Sequence, residues 1–118
     1  MRETKYTFYK IADYEAELHF GANDIAVADL KDKRICIGRF AGGLVAFPYK
    51  CPHAAGLLAN GWIDAKGNVV CPLHQYKFSM ATGRNVTGEG YYMKRWPVER
   101  RGDEIWVGQE AGGLLGWL

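Results

Sequence analysis

The sequence is short of histidine, cysteine and proline: 118 residues hold three, three and four of them. Three histidines exclude any mechanism that spends them freely. The cysteines, Cys36, Cys51 and Cys71, are too few and odd in number for a disulfide framework, which points to metal binding or free thiols. Long apolar runs are missing too. No stretch approaches the roughly 20 residues of a transmembrane helix, so no membrane span is expected. Strong charge of one sign is also missing. Fifteen Lys and Arg against thirteen Asp and Glu leave a net +2, too balanced for a dedicated nucleic-acid binder, and no nucleic-acid partner is expected. The start, Met1-Arg2-Glu3-Thr4-Lys5-Tyr6, has charges with no apolar run behind them. A secretory signal is not expected, and a cytoplasmic location is.

What is present is ordinary for a globular protein. Hydrophobic residues make up 48% and charged residues 24%, and the length suits one domain. The 15 glycines and other turn residues recur at short spacing, which predicts an all-β fold. Tyr6–Ile11 reads as a strand, and Asp13 as the cap of a short helical turn through Leu18. Strands are predicted at Asp24–Leu30, Arg34–Phe40 and Leu44–Phe47, the last two joined by the tight turn Ala41-Gly42-Gly43. After Tyr49 the pattern becomes irregular. Short strands follow at Gly61–Asp64, Asn68–Val70 and Lys77–Ser79. A closing hairpin is predicted from Tyr91–Glu99 across residues 100–103 to Glu104–Val107. The apolar stretch 111–118 reads as a C-terminal tail.

One small repeat stands out. A loop that begins Cys-Pro and ends in His occurs twice, as Cys51-Pro52-His53 and Cys71-Pro72-Leu73-His74. Together they spell C-x-H, 17 residues, then C-x-x-H. A cysteine two or three residues from a histidine lets one loop offer a soft sulfur and an imidazole to neighbouring metal positions. The prolines restrict the loop before any metal arrives. A mononuclear zinc site could use the same four donors. Its usual signature keeps cysteines together and histidines together, and the interleaved order disfavours it. Cys36, between Ile35 and Ile37, reads as a buried small hydrophobe, and His19 as a loop histidine.

These four residues at this spacing resemble the Rieske-type ferredoxins, small proteins and domains that carry one [2Fe–2S] cluster. The resemblance extends through Lys77-Phe78-Ser79 and Thr82-Gly83 to the final hairpin, and covers nearly the whole chain to Gly108. It implies an antiparallel β sandwich or barrel in which residues 1–110 form one domain, with a cluster-binding subdomain of about residues 46–80 inserted in it. It implies that Cys51 and Cys71 bind the inner iron as thiolates, and that His53 and His74 bind the outer iron as imidazoles. Two thiolates on the oxidised core make a neutral site, whereas four would make a dianion, so this arrangement accepts an electron more readily.

High-potential relatives add two cysteines that join the loops, at positions held here by Gly56 and Leu73. They also aim a serine and a tyrosine hydroxyl at the cluster sulfurs, where this chain has Tyr76 and Phe78. Loss of those hydrogen bonds predicts a potential at the low end of the Rieske range, on the order of −150 mV. Two departures stand beside the resemblance. Gln75 replaces the glycine that usually follows the second histidine, and the stretch Val86–Gly90 lacks the proline of the loop that covers the cluster in many members. The implied function is one-electron transfer from a reductase to an oxygenase or other acceptor, without substrate chemistry in this chain. The alternative is a small subunit of a nitrite reductase or other multi-component oxidoreductase.

Overall fold

A computed structural model describes residues 5–53 and 56–110; the predicted tail 111–118 lies outside them. Among the described residues, nine strands form two antiparallel sheets. They are β1 (Tyr6–Ala12), β2 (Ile25–Leu30), β3 (Lys33–Phe40), β4 (Gly43–Pro48), β5 (Trp62–Ile63), β6 (Asn68–Val70), β7 (Lys77–Ser79), β8 (Trp96–Arg101) and β9 (Glu104–Glu110). The six-stranded sheet has the order β1-β9-β8-β4-β3-β2, and the three-stranded sheet runs β5-β6-β7. The all-β expectation holds.

The apolar run Ile35-Cys36-Ile37 shows how the sheets meet. All three residues are fully buried, yet neighbours on a strand point to opposite faces. Ile35 and Ile37 therefore enter one core with Ala26, Leu30, Ala46, Trp96, Ile105 and Val107. Cys36 enters the other, with Phe47, Leu58, Val69, Phe78 and Met93. The middle of β3 and of β4 is thus covered on both sides, the first core by the curl of the large sheet and the second by the small sheet. Cys36 is the buried hydrophobe its neighbours suggest, and burial pushes its thiol up to about 12.

Asn23 ties the small sheet to the large one. Its side-chain amide donates to Gly61 O at 2.9 Å and Ala59 O at 3.3 Å, and its own carbonyl accepts from Ile63 N at 3.1 Å. Asp64 closes the β5–β6 turn, its Oδ1 accepting from Lys66 N at 2.9 Å and Asn68 N at 3.0 Å.

Two local expectations fail. The turn at residues 15–18 is a short 3-10 helix that Asp13 does not cap: Tyr14 stands at its N-cap, and the Asp13 N–H instead donates to Glu17 Oε1 at 2.6 Å. The closing strand begins at Trp96 rather than Tyr91. Residues 91–95 carry strand-forming aromatics, but Met93 N donates to Gly83 O at 2.8 Å and Tyr92 Oη to Thr82 O at 2.8 Å, which holds them as a loop against the turn after β7. The strand then continues to Arg101, so the hairpin turn is the tighter Gly102-Asp103.

Candidate metal centre

The two Cys-Pro loops leave their strands at neighbouring places and are closed the same way. Cys51 N donates to Gly56 O at 2.8 Å, and Cys71 N donates to Tyr76 O at 2.9 Å. Each hydrogen bond spans five residues and turns the chain back on itself. A residue before proline is pushed toward extended backbone, which favours an extended path for Cys51 and Cys71 as they enter their loops. A further pairing of Lys50 with Leu57 seats the first loop.

The loops bring the predicted donors together. Cys51 Sγ lies 2.6 Å from His53 Nδ1, and one donor atom each of Cys51, His53 and Cys71 falls within 4.8 Å of the others. His74 joins from the second loop, its Nδ1 3.3 Å from His53 Nε2. No disulfide involves any of the three cysteines. Burial is graded. Cys71 and Cys51 are buried, at 0% and 5% exposure, His53 is half-buried, and His74 is exposed. Sulfur donors therefore sit at the base of the site and nitrogen donors at its rim.

The floor and walls are apolar and aromatic. Leu58, Phe78 and Met93 pack in the core that holds both sulfurs. Leu58 is thus part of the base of the site, while Leu57 is half-buried beside it. The Tyr76 ring lies 4.1 Å from the His53 ring and 5.8 Å from that of His74. Tyr91 adds a second ring, 5.7 Å from His53 and 6.1 Å from Tyr76. Tyr76 thus sets its ring, tilted, against both imidazoles and stacks on Tyr91. Gly56 is required for a different reason: a Cβ there would stand 2.8 Å from Cys71 Sγ and 3.0 Å from Leu73 Cβ.

Gln75 takes a left-handed backbone, φ 59°, with its side chain exposed. That is the conformation in which glycine has no steric penalty, so the backbone keeps its path and the side chain turns to solvent. The proline-free stretch Val86–Gly90 is ordered by side chains instead. Asn85 Nδ2 donates to Lys77 O at 3.1 Å and to Glu89 Oε1 at 3.0 Å, and Asn85 Oδ1 accepts from Glu89 N at 2.5 Å and Gly90 N at 3.1 Å.

Asn23, Asn85, Glu89 and Tyr91 escape the sequence reading. The available signal is polar: Asn85, Thr87 and Glu89 alternate through a glycine-rich loop, and Asn and Thr side chains readily bond nearby backbone. His19 lies far from this chemistry in the chain, exposed at the end of the first short helix with φ 37°.

The donor set fits a two-iron cluster in chemical terms. Two buried sulfurs suit iron and sulfide, and two imidazoles suit an outer iron near solvent. The comparisons point the same way. The Rieske [2Fe-2S] domain family matches residues 8–92. The ferredoxin component of the alkene monooxygenase system of Xanthobacter autotrophicus is 22% identical over 87 residues, covering 74% of this chain and 71% of that protein. The ferredoxin component of the naphthalene 1,2-dioxygenase system of Pseudomonas aeruginosa is 25% identical over 85 residues, covering 71% and 81%. Among solved structures, a putative NADH-dependent nitrite reductase small subunit from Mycobacterium tuberculosis superimposes with a TM-score of 0.73 at 15% identity, over 91% of this chain and 98% of that one.

Proposed function

Because the chain belongs to the Rieske [2Fe-2S] domain family, we propose that it is a one-electron carrier, taking electrons from a reductase and passing them to an oxygenase-type acceptor. The observation that carries this reading is the meeting of Cys51, His53, Cys71 and His74, sulfur inside and nitrogen outside. In this reading Cys51 and Cys71 hold the inner iron, and His53 and His74 hold the outer one. The lobe of about residues 46–80 is the cluster-binding subdomain of a single domain spanning 1–110.

When bound, the cluster supplies reversible one-electron chemistry. The chain's own residues decide where that electron enters and leaves. Leu58, Phe78 and Met93 keep water from the sulfur end. The exposed His74 offers the shortest route to a partner, and Leu73 and Tyr91, 43% and 41% exposed, supply apolar contact beside it. A small, weakly held interface suits a carrier that must dock and leave. Substrate oxidation is assigned to the partner. Once His53 and His74 are committed, His19 is the remaining histidine of these 118 residues, one short of a site of two histidines and a carboxylate.

No described helix is long and apolar enough to cross a membrane, and thiolate ligation suits the reducing cytoplasm proposed here as the location. The alternative, a small subunit of a nitrite reductase, has this all-β fold in common; a subunit elutes in a stable assembly, a carrier alone. Redox titration tests the proposal. A single one-electron wave with a midpoint on the order of −150 mV is expected. A chain that takes up no electron, or a midpoint above about +100 mV, contradicts the reading of a low-potential carrier.

A further inference from the structure

The loop from Asn85 to Tyr91 places a carboxylate where the reading above has no role for one. Asn85 anchors the loop to β7 through Lys77 O at 3.1 Å, and Val86 N donates to the same carbonyl at 2.9 Å. The Thr87 hydroxyl accepts from Lys77 N at 3.2 Å and donates to the Glu89 carboxylate. Asn85 grips Glu89 from both ends, its Nδ2 on the carboxylate and its Oδ1 on the backbone N–H. Two residues later the Tyr91 ring lies against His53. Through Lys77, the neighbour of Tyr76, at one end and Tyr91 at the other, the loop that holds the carboxylate is tied to the two rings that flank His53. Among the described residues, hydrogen bonds hold it but no ion pair neutralises it.

We propose that Glu89 tunes the reduction potential, with Asn85 and Thr87 as its positioning residues: its fixed negative charge on the loop next to the imidazoles disfavours the arriving electron. This inference rests on the histidine-ligated cluster reading. The physical basis is like-charge repulsion between the carboxylate and a site that becomes negative on reduction. The Thr87 hydroxyl first, against an opposing desolvation, and then Asn85 and the Glu89 N–H hold the carboxyl below the usual carboxylate range. It is ionised at neutral pH, so the effect needs no protonation step. Being exposed, it is screened by salt.

The test compares the reconstituted wild-type protein with Glu89→Gln and Glu89→Lys. Glutamine keeps the shape and the acceptor but removes the charge; lysine inverts it. Glu89→Gln is expected to favour the reduced form about threefold to tenfold at low ionic strength, an upward midpoint shift of up to about 59 mV. Glu89→Lys shifts it further in the same direction. Both shifts shrink in 1 M salt, where the Debye length is about 3 Å. An unmoved or lowered midpoint in Glu89→Gln, or a shift that salt does not reduce, overturns the proposal and leaves Glu89 a loop-ordering residue. If iron and sulfide do not assemble in the wild-type chain, the reading of the site fails and the inference with it; assembly with an unmoved potential defeats the inference alone.

Discussion

Cys71→Ser is expected to abolish cluster assembly, leaving a colourless protein with essentially no bound iron or sulfide. Cys71 is fully buried at the base of the site, with its Sγ among the converging donors. Serine offers a hard oxygen whose proton is lost far less readily than that of a thiol, and iron–sulfur clusters select thiolate. The hydroxyl also enters an apolar core, a cost of about 1–3 kcal/mol when it finds no partner. Cys36→Ser is the matching control. Cys36 is equally buried, its thiol pushed up to about 12 by that burial, but it lies outside the group of converging donors. Iron and sulfide analysis should show full loading in Cys36→Ser and none in Cys71→Ser. Equal loading of the two variants contradicts the site.

Gly61→Ala is expected to damage the same site without touching a ligand. Gly61 sits between the second short helix, Leu58–Asn60, and β5. A Cβ there would stand 1.8 Å from Val70 O and 3.0 Å from Val70 C. Those are backbone atoms of the residue just before Cys71, so the clash cannot be relieved by a side chain. β6 must move, and Cys71 moves with it. Gly61 O also accepts from Asn23, so the tie between the two sheets is strained as well. Overpacking of this kind costs about 1–3 kcal/mol or more. Displacing groups that support metal ligands typically costs 10–100-fold in affinity. Chelator challenge should strip iron from Gly61→Ala at least about tenfold faster than from wild type, with a lowered Tm. Wild-type retention together with wild-type Tm contradicts the packing described.

The all-β class was legible because strand signals are local: β-branched and aromatic runs bounded by turn residues. The donors that the structure gathers are also those that the spacing singles out, since each loop carries its cysteine and histidine within four residues. What the sequence hid was set by contacts distant in the chain. Tyr91 and Tyr92 look like strand residues, yet Met93 N and Tyr92 Oη bond to the turn at Thr82-Gly83 and hold a loop. Asn23 sits in an unremarkable turn and is explained by partners 36 and 38 residues away. Asn85 and Glu89 replace a proline-bearing loop with hydrogen bonds, which no hydrophobic period reveals. Tyr76 reads as an oversized serine in the sequence and as a ring tilted against His53 in space.

The central claim is that two imidazoles, one from each loop, join two thiolates around one cluster. Pulsed EPR of the dithionite-reduced protein, grown with ¹⁵N-labelled histidine, tests it most directly. The account predicts a signal with mean g well below 2 and strong couplings to two labelled nitrogens, one lost in His53→Ala and the other in His74→Ala. A reduced spectrum with no strongly coupled histidine nitrogen would contradict it.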